Sequence, residues 1–93
     1  MESLARILYS LHRGTPQHGP WVVACLEGAW TRIMGEGVAR ISRPITFKDS
    51  ELLVEIQDPA WEKPLRDIRA EVEAKLCMAT GGEVKRVKLR LHQ

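Results

Sequence analysis

Alternating apolar and polar residues between positions 44 and 57 predict two β-strands that form a hairpin. Successive side chains of a strand point to opposite faces, so every second residue shares a face. The segment Lys48-Asp49-Ser50-Glu51 separates the two runs. Because it lacks glycine, we expect a longer type I turn rather than a two-residue type I′ turn. The apolar residues of the two strands, which we expect on one buried face, are Ile45, Phe47, Leu52, Val54 and Ile56.

Helical spacing of apolar residues characterises the chain before the hairpin. Residues 3–13 carry apolar side chains at i, i+3, i+4 and i+7, which predicts an amphipathic helix. The Pro- and Gly-containing residues 15–20 predict a linker. A second helix is predicted over 20–42. Gly35 and Gly37 inside it predict a break, a kink or the close approach of another backbone.

The chain after the hairpin predicts a third helix and a last strand. Asp58 is an N-cap residue followed by proline at the first helical position. Pro64 would break a helix that began there, so we expect a short turn at 59–63 and a main helix over 64–79. A last strand is predicted at 84–92. Its side chains that point toward the helices are Val87, Leu89 and Leu91.

The order of these elements, α-α-β-β-α-β, predicts an α+β fold in which helices cover one face of a three-stranded sheet. A chain of 93 residues is long enough for a single core. We divide it into an N-terminal amphipathic helix (1–14), a linker (15–20) and a folded domain (21–93). The residues expected in the structural core are Trp30, Ile33, Val54, Ile56, Trp61, Leu65, Ile68 and Leu89.

Composition and charge indicate the cellular location and the kinds of partner that we expect. The net charge is +2 with a pI of about 8.7, which by itself does not indicate nucleic-acid binding. No apolar run approaches the roughly 18 residues of a membrane span, and the N-terminus lacks the pattern of a secretory signal. We therefore expect a cytoplasmic protein without a membrane partner. Two buried thiols, Cys25 and Cys77, are the simpler interpretation of the cysteines, with a disulfide as the alternative.

Motifs for catalysis are missing from the sequence. It contains no phosphate-binding loop, no Gly-x-Ser-x-Gly nucleophile motif and no His-Glu-x-x-His zinc motif. The histidines (His12, His18 and His92) are scattered, and no Cys-x-x-Cys pair is present. We therefore expect neither an enzyme nor a metal or other cofactor.

Cationic side chains on one face of the last strand form the clearest functional pattern. Arg86, Lys88 and Arg90 are spaced about 6.6–7 Å apart along the strand, which suits contacts to the phosphates of a single strand of nucleic acid. The alternative is a solvent-facing edge strand, where cations prevent aggregation. The sequence alone leaves both open. The other cations assigned to this surface are Lys48, Arg40 and Arg43.

The apolar stripe of the first helix supports a second hypothesis, a protein-interaction module without nucleic-acid binding. The helix would dock on a partner or on a second copy of the chain, which would give a homodimer. Trp21 either staples the start of the second helix or contacts the partner. The residues assigned to partner binding are Leu4, Ile7, Leu8, Leu11 and Trp21.

A series of short motifs resembles the DciA family, once catalogued as a domain of unknown function. The resemblance covers roughly residues 22–91, and the helix at 3–13 is similar to a segment that precedes the family's domain. Each motif is short, and their order and spacing carry the resemblance. The motifs are Trp30-x-x-Ile33-x-Gly35, Val38-Ala39-x-x-Ser42-x-Pro44, Leu52-x-Val54, Pro59-Ala60-Trp61-x-x-x-Leu65, Gly81-Gly82 and Val87-x-Leu89-x-Leu91.

The resemblance implies a KH-like fold of the type II kind, α-β-β-α-β after an N-terminal helix, with Trp30 and Trp61 in the core. It also implies a role in bacterial DNA replication. Members interact with the DnaB-type replicative helicase, promote its loading and bind single-stranded DNA. The Gly-x-x-Gly phosphate clamp of KH domains is absent from the expected position, so the resemblance does not extend to that clamp. An RNA-binding KH-like module is a further alternative.

Overall fold

The computed structural model describes residues 4–92 and shows an α+β fold with a three-stranded mixed sheet packed against helices. The sheet order is β1-β2-β3, with β1 antiparallel and β3 parallel to the central β2. The predicted α+β class is confirmed. The elements are α1 (Leu4–Tyr9), α2 (His18–Met34), α3 (Glu36–Arg40), β1 (Ser42–Lys48), β2 (Glu51–Ile56), a 3₁₀ helix (Pro59–Trp61), α4 (Glu62–Asp67), α5 (Arg69–Ala79) and β3 (Arg86–Leu91).

One face of the sheet is buried under the helices. Leu52, Val54 and Ile56 of β2 are buried, as the period-two pattern predicted. In β3, Val87 and Leu89 are buried while their neighbours are exposed. This face packs with apolar residues of the helices in one cluster, so the sheet has an inner apolar face and an outer polar face. The fully buried helix residues are Val22, Leu26, Leu65 and Leu76.

The turn between β1 and β2 differs from the prediction. Lys48 pairs with Glu51, so only Asp49 and Ser50 lie between the strands, and both have positive φ angles of 52° and 64°. This is the geometry of a type I′ turn, and the expectation of a longer type I turn was wrong. The start of β3 supports the conformation: Ser50 O accepts from Arg86 N at 3.1 Å, and the Arg86 guanidinium donates to Asp49 O at 2.6 Å.

A β-bulge in β1 changes which of its side chains face the core. Pro44 pairs with Val54 and Thr46 with Leu53, so Ile45 is the extra residue. Pro44 and Phe47 are buried, whereas Ile45 is only half-buried. The expectation that Ile45 shares the buried face with Phe47 was therefore wrong, because a bulge resets the alternation of faces.

The helices before the sheet are shorter than the apolar pattern predicted. α1 ends at Tyr9 rather than at residue 13, and its predicted start at residue 3 lies outside the described residues. α2 begins at His18, inside the segment 15–20. The predicted break in the second helix is confirmed at Gly35, whose φ of 84° and ψ of 156° separate α2 from α3.

The segment after the hairpin begins as predicted and then departs from the prediction. The Asp58 carboxylate accepts a hydrogen bond from Ala60 N at 3.0 Å and caps the 3₁₀ helix. The following helix begins at Glu62, before Pro64, because proline fits the first turn of a helix. Ile68 then interrupts it with φ −106° and ψ 18°, so the predicted main helix consists of α4 and α5.

The tryptophans assigned to the core lie at different depths. Trp30 is buried, and its Nε1 donates to Ser42 Oγ at 3.0 Å, which in turn donates to Val38 O at 2.6 Å. The indole N–H is therefore satisfied inside the core. Trp61 is half-buried at the margin of the core, as are Ile33 and Ile68. The other residues assigned to the core are all buried: Val54, Ile56, Leu65 and Leu89.

Candidate partner-docking and nucleic-acid surfaces

α1 presents its apolar stripe to solvent. The stripe lines an open groove of about 790 Å³ against α2, and Arg32 is the charged residue in that lining. Exposed apolar patches on small proteins usually mark interaction sites. The stripe residues are between 44% and 83% exposed, and they are Leu4, Ile7, Leu8 and Leu11.

The opposite side of α1 is fixed to the rest of the molecule. Trp21 donates through Nε1 to Leu8 O at 2.8 Å, and its ring packs edge-to-face on His12 at a centroid distance of 4.9 Å. Tyr9 is buried in the core cluster. Gly81, with φ 65°, lies so close to the Arg6 backbone that a Cβ atom there would collide with it. The stripe is therefore exposed on a helix whose position is held by packing.

Ionisable groups near this groove are mainly neutral. Burial raises the pKa of the Tyr9 phenol, and the nearby Cys25 thiol adds to that rise. Burial also raises the pKa of Cys25. Both groups stay protonated at neutral pH, so the groove is an apolar surface with a positive charge at Arg32. Cys25 and Cys77 are free cysteines.

The outer face of the sheet carries the predicted cationic side chains in an ordered pattern. Strand register places each outward-facing residue of β2, namely Glu51, Leu53 and Glu55, between one residue of β1 and one of β3. Two of the resulting rows have a carboxylate in the centre and a cation on each side. The rows are Arg43–Glu55–Arg90, Thr46–Leu53–Lys88 and Lys48–Glu51–Arg86.

Glu55 is the most heavily bonded side chain of this face. Its carboxylate accepts from Arg90 Nη2 at 3.0 Å and from Gln57 Nε2 at 3.0 Å, and lies 2.9 Å from His92 Nδ1. The hydrogen bond from Arg90 lowers the pKa of Glu55, with smaller contributions from Gln57 and His92. The carboxylate is thus ionised at neutral pH and bound to a cation that the sequence assigned to phosphate.

The remaining cations of the face differ in how strongly they are paired. Arg86 lies 3.9 Å from Glu51, a loose ion pair, and is also bound to the turn carbonyl of Asp49. Lys88 lies beside Leu53, and its side chain has no hydrogen-bond or ion-pair partner among residues 4–92. β3 is also an edge strand, so both interpretations of its cations, phosphate contact and protection of the edge, fit its position.

Arg40 does not join the outer sheet face. It ends α3 and lines a shallow groove of about 490 Å³ with Arg43 and Trp30. A cation in the last turn of a helix also complements the helix dipole. The structure therefore brings five of the six predicted cations to one face, and leaves Arg40 beside it.

A third groove is lined by a buried carboxylate for which the sequence predicted no role. Glu83 is buried and pairs with the Arg13 guanidinium and with His18 Nε2 at 3.1 Å. These contacts tie the loop before β3 to the start of α2, beside an open groove of about 1170 Å³ that reaches Phe47 and Lys48. Sequence gave no signal for Glu83, because its partners lie at least 65 residues away.

Within residues 4–92 there is no group of three or more His, Cys, Asp or Glu side chains placed to hold a metal ion. None of the helices in the same range is long and apolar enough to cross a membrane.

Comparison with known proteins gives matches over most of the chain. The family model described as "Dna[CI] antecedent, DciA" matches residues 3–89. A UPF0232 protein of Mycobacterium tuberculosis is 33% identical over 70 residues, which are 71% of this chain and 37% of the relative. A UPF0232 protein of Rhodococcus jostii is 32% identical over 63 residues, 67% of this chain and 34% of the relative. The matched part of the chain thus spans about a third of the length of these relatives.

Proposed function

This chain belongs to the DciA family of DnaB-associated replication factors, and from that premise we propose that it is a non-enzymatic accessory protein of bacterial DNA replication. In this proposal it binds the DnaB-type replicative helicase and, more weakly, single-stranded DNA. The order of helix, two strands, helices and strand after α1 supports a KH-like arrangement as its scaffold.

The observation that carries the proposal is the exposed stripe on a fixed helix. A partner that covers an exposed apolar side chain stabilises the complex by about 25 cal/mol for each Å² of apolar surface removed from water. Because Trp21 and Gly81 hold α1 in place, a partner that covers the stripe pays little ordering entropy. We assign the helicase contact to the groove formed by Leu4, Ile7, Leu8 and Leu11 with α2.

Single-stranded DNA is assigned to the outer sheet face. Arg43, Lys48 and Lys88 supply cations along its rows, with Arg86 and Arg90 in ion pairs beside them. The face has no aromatic side chain for base stacking, so we expect binding to be electrostatic and to depend strongly on salt. Its cations act on phosphates, which DNA and RNA share, so RNA is kept as a competitor in the test.

A second candidate is a protein-interaction module that does not bind nucleic acid. The observation that favours it is the internal pairing of Arg90 with Glu55 and of Arg86 with Glu51. In that case the charges of the outer face serve to keep the edge strand β3 soluble, and α1 alone would act, on a partner or on a second copy of the chain.

The experiment combines capture by the cognate helicase with titration of a labelled oligothymidine in increasing salt. The wild-type protein should be retained by immobilised helicase and should bind the oligonucleotide at low salt. Reversal of Arg86, Lys88 and Arg90 to Glu should weaken DNA binding and flatten its salt dependence. The matched control reverses the same number of exposed cations on α4 and α5, namely Lys63, Arg69 and Lys75.

The two triple variants have equal net charge, so a difference between them reports position rather than total charge. If the Arg86, Lys88 and Arg90 variant binds like wild type, the outer face is ordinary surface. If the wild-type protein itself does not bind the oligonucleotide at low salt, the second candidate stands. If immobilised helicase does not retain the wild-type chain, the helicase assignment fails. An equimolar oligouridine competitor shows whether the face prefers DNA.

A further inference from the structure

We propose that Glu55 sets the affinity of the outer sheet face for single-stranded nucleic acid, by holding Arg90 in an internal ion pair that a phosphate group must displace. The inference rests on the proposed function, because it concerns the same face of the sheet. It adds the Glu55 carboxylate as an internal competitor of the phosphate groups. It is carried by the position of Glu55 in the register of the sheet and by the partners of its carboxylate.

Glu55 occupies the centre of a row of opposite charges. It lies on β2, with Arg43 as its register partner on β1 and Arg90 on β3. Its side chain is 13% exposed, although it belongs to the outer face, because the neighbouring side chains cover it. Of these two neighbours in the register, the Glu55 carboxylate is hydrogen-bonded to Arg90.

A phosphate and a carboxylate bind a guanidinium group in the same way, through parallel N–H···O bonds. A phosphate that binds Arg90 through both of its terminal nitrogens therefore competes with Glu55, whose carboxylate accepts from Nη2 at 3.0 Å. The released carboxylate would then lie one strand away from the phosphate and repel it. Replacing the carboxylate by an amide removes both penalties and keeps the shape of the side chain.

The other glutamate of the face is a weaker competitor. Glu51 is 44% exposed, and its carboxylate lies 3.9 Å from the Arg86 guanidinium. Water screens a pair of this kind more effectively than the shorter and better covered pair at Glu55. Replacing Glu55 by Gln should therefore raise the affinity for nucleic acid more than replacing Glu51 by Gln.

The test measures binding of a labelled oligothymidine to the full chain and to Glu55→Gln, Glu51→Gln and Glu71→Gln. Glu71 is exposed on α5, so Glu71→Gln makes the same change in net charge away from the sheet. We expect Glu55→Gln to tighten binding about three- to ten-fold, Glu51→Gln less, and Glu71→Gln at most about two-fold. The salt dependence should steepen in the same order.

A second readout follows Arg90 itself. In the wild-type background Arg90→Gln should change DNA affinity little, because that guanidinium is occupied by Glu55. In the Glu55→Gln background the same Arg90→Gln change should remove most of the gain. A structural role of Glu55 alone would not make the effect of Arg90→Gln depend on the residue at position 55, and melting curves of all variants confirm that each is folded.

The outcomes separate this inference from the proposal on which it rests. If wild type binds and Glu55→Gln binds no tighter than Glu71→Gln, the inference is overturned and the proposed function stands. If neither wild type nor Glu55→Gln binds at any salt concentration, the inference and the DNA-binding part of the proposed function are both overturned. Binding that is detectable only after Glu55→Gln supports the inference in its strongest form.

Discussion

The α1 groove and the outer sheet face are both exposed, but they differ in what the protein itself supplies to them. Within residues 4–92 the stripe on α1 remains 44–83% exposed, so an external partner would remove more of it from water. On the sheet, Glu55 and Glu51 already neutralise Arg90 and Arg86. A ligand of the sheet must therefore compete with internal partners, whereas a ligand of the groove displaces only water. We expect the groove to bind the helicase tightly. We expect the outer sheet face to bind single-stranded DNA more weakly and in a salt-dependent way.

The largest predicted effect tests the groove. Replacing Ile7 and Leu11 by Asp places two charges in the stripe, one on α1 and one in the turn that follows it. Loss of apolar contacts at the centre of an interface costs about 2 kcal/mol or more for each side chain, so helicase affinity should fall by at least about a hundred-fold. Both side chains are exposed, so the free energy of unfolding should change by less than about 0.5 kcal/mol for each. Calorimetric titration and urea unfolding measure the two quantities.

The matched control for that variant is Met78→Asp. Met78 is also a large exposed apolar side chain, but it does not line the groove. It should leave helicase affinity within about two-fold of wild type, the size expected for a residue outside the contact. An equal loss of affinity in Met78→Asp would mean that the groove is not the docking surface.

The second prediction tests whether the groove depends on a fixed α1. Trp21→Phe removes the hydrogen bond to Leu8 O while it keeps an aromatic ring against His12. The free energy of unfolding should fall by about 0.5–1.5 kcal/mol, and helicase affinity should fall with it, since a looser α1 has to be ordered on binding.

Trp30→Phe is the comparison for this change. It also removes an indole N–H, but the lost hydrogen bond is to Ser42 in the core, away from the groove. It should lower stability without a specific loss of helicase affinity. If Trp21→Phe and Trp30→Phe change affinity equally, the position of α1 is not what the partner requires.

The sequence predicted the features that depend on side-chain periodicity. The alternation in β2 and β3 gave their buried faces correctly, because one residue in two must face the core whatever the neighbouring strands are. The turn at Asp49 and Ser50 could not be predicted in this way. Its left-handed conformation is supported by hydrogen bonds from Lys85 and Arg86, which are more than 30 residues away.

The candidate surfaces likewise combine features that a local sequence pattern predicts with features that depend on distant contacts. The stripe on α1 is a local pattern, and the sequence located it, but Tyr9 was missed because it lies off the stripe on the buried side of the helix. The cations of β3 were also located. Their pairing with Glu55 and Glu51 depends on a parallel register between β2 and β3. That register follows from how the helices between them pack, which no short motif specifies.

The third prediction compares two cations on β3. Lys88 has no polar partner within the described residues, whereas Arg90 is bound to Glu55. Lys88→Ala should therefore weaken binding of an oligothymidine about three- to five-fold at low salt, and Arg90→Ala less. Fluorescence anisotropy at a series of salt concentrations provides the measurement. A larger loss for Arg90→Ala would show that the ion pair with Glu55 does not restrict the guanidinium.

The smallest predicted effect concerns acid stability. The bond from Arg90 lowers the pKa of Glu55 below its ordinary value of 4.5. A carboxyl group with a lowered pKa in the folded state stabilises the protein above its unfolded pKa, and that contribution is lost as pH falls through the folded pKa. The melting temperature of wild type relative to Glu55→Gln should therefore be highest near neutral pH and decline below about pH 4.5. A difference that does not change with pH would contradict the ion pair.

The most direct measurement of the account is a reciprocal binding test with two variants. Ile7→Asp/Leu11→Asp and Arg86→Glu/Lys88→Glu/Arg90→Glu are each titrated with the helicase alone and with oligothymidine alone. We expect the α1 variant to lose the helicase and keep DNA, and the β3 variant to lose DNA and keep the helicase. A variant that loses both ligands while it remains folded, or a pair of variants that lose neither, would contradict the separation of the two surfaces.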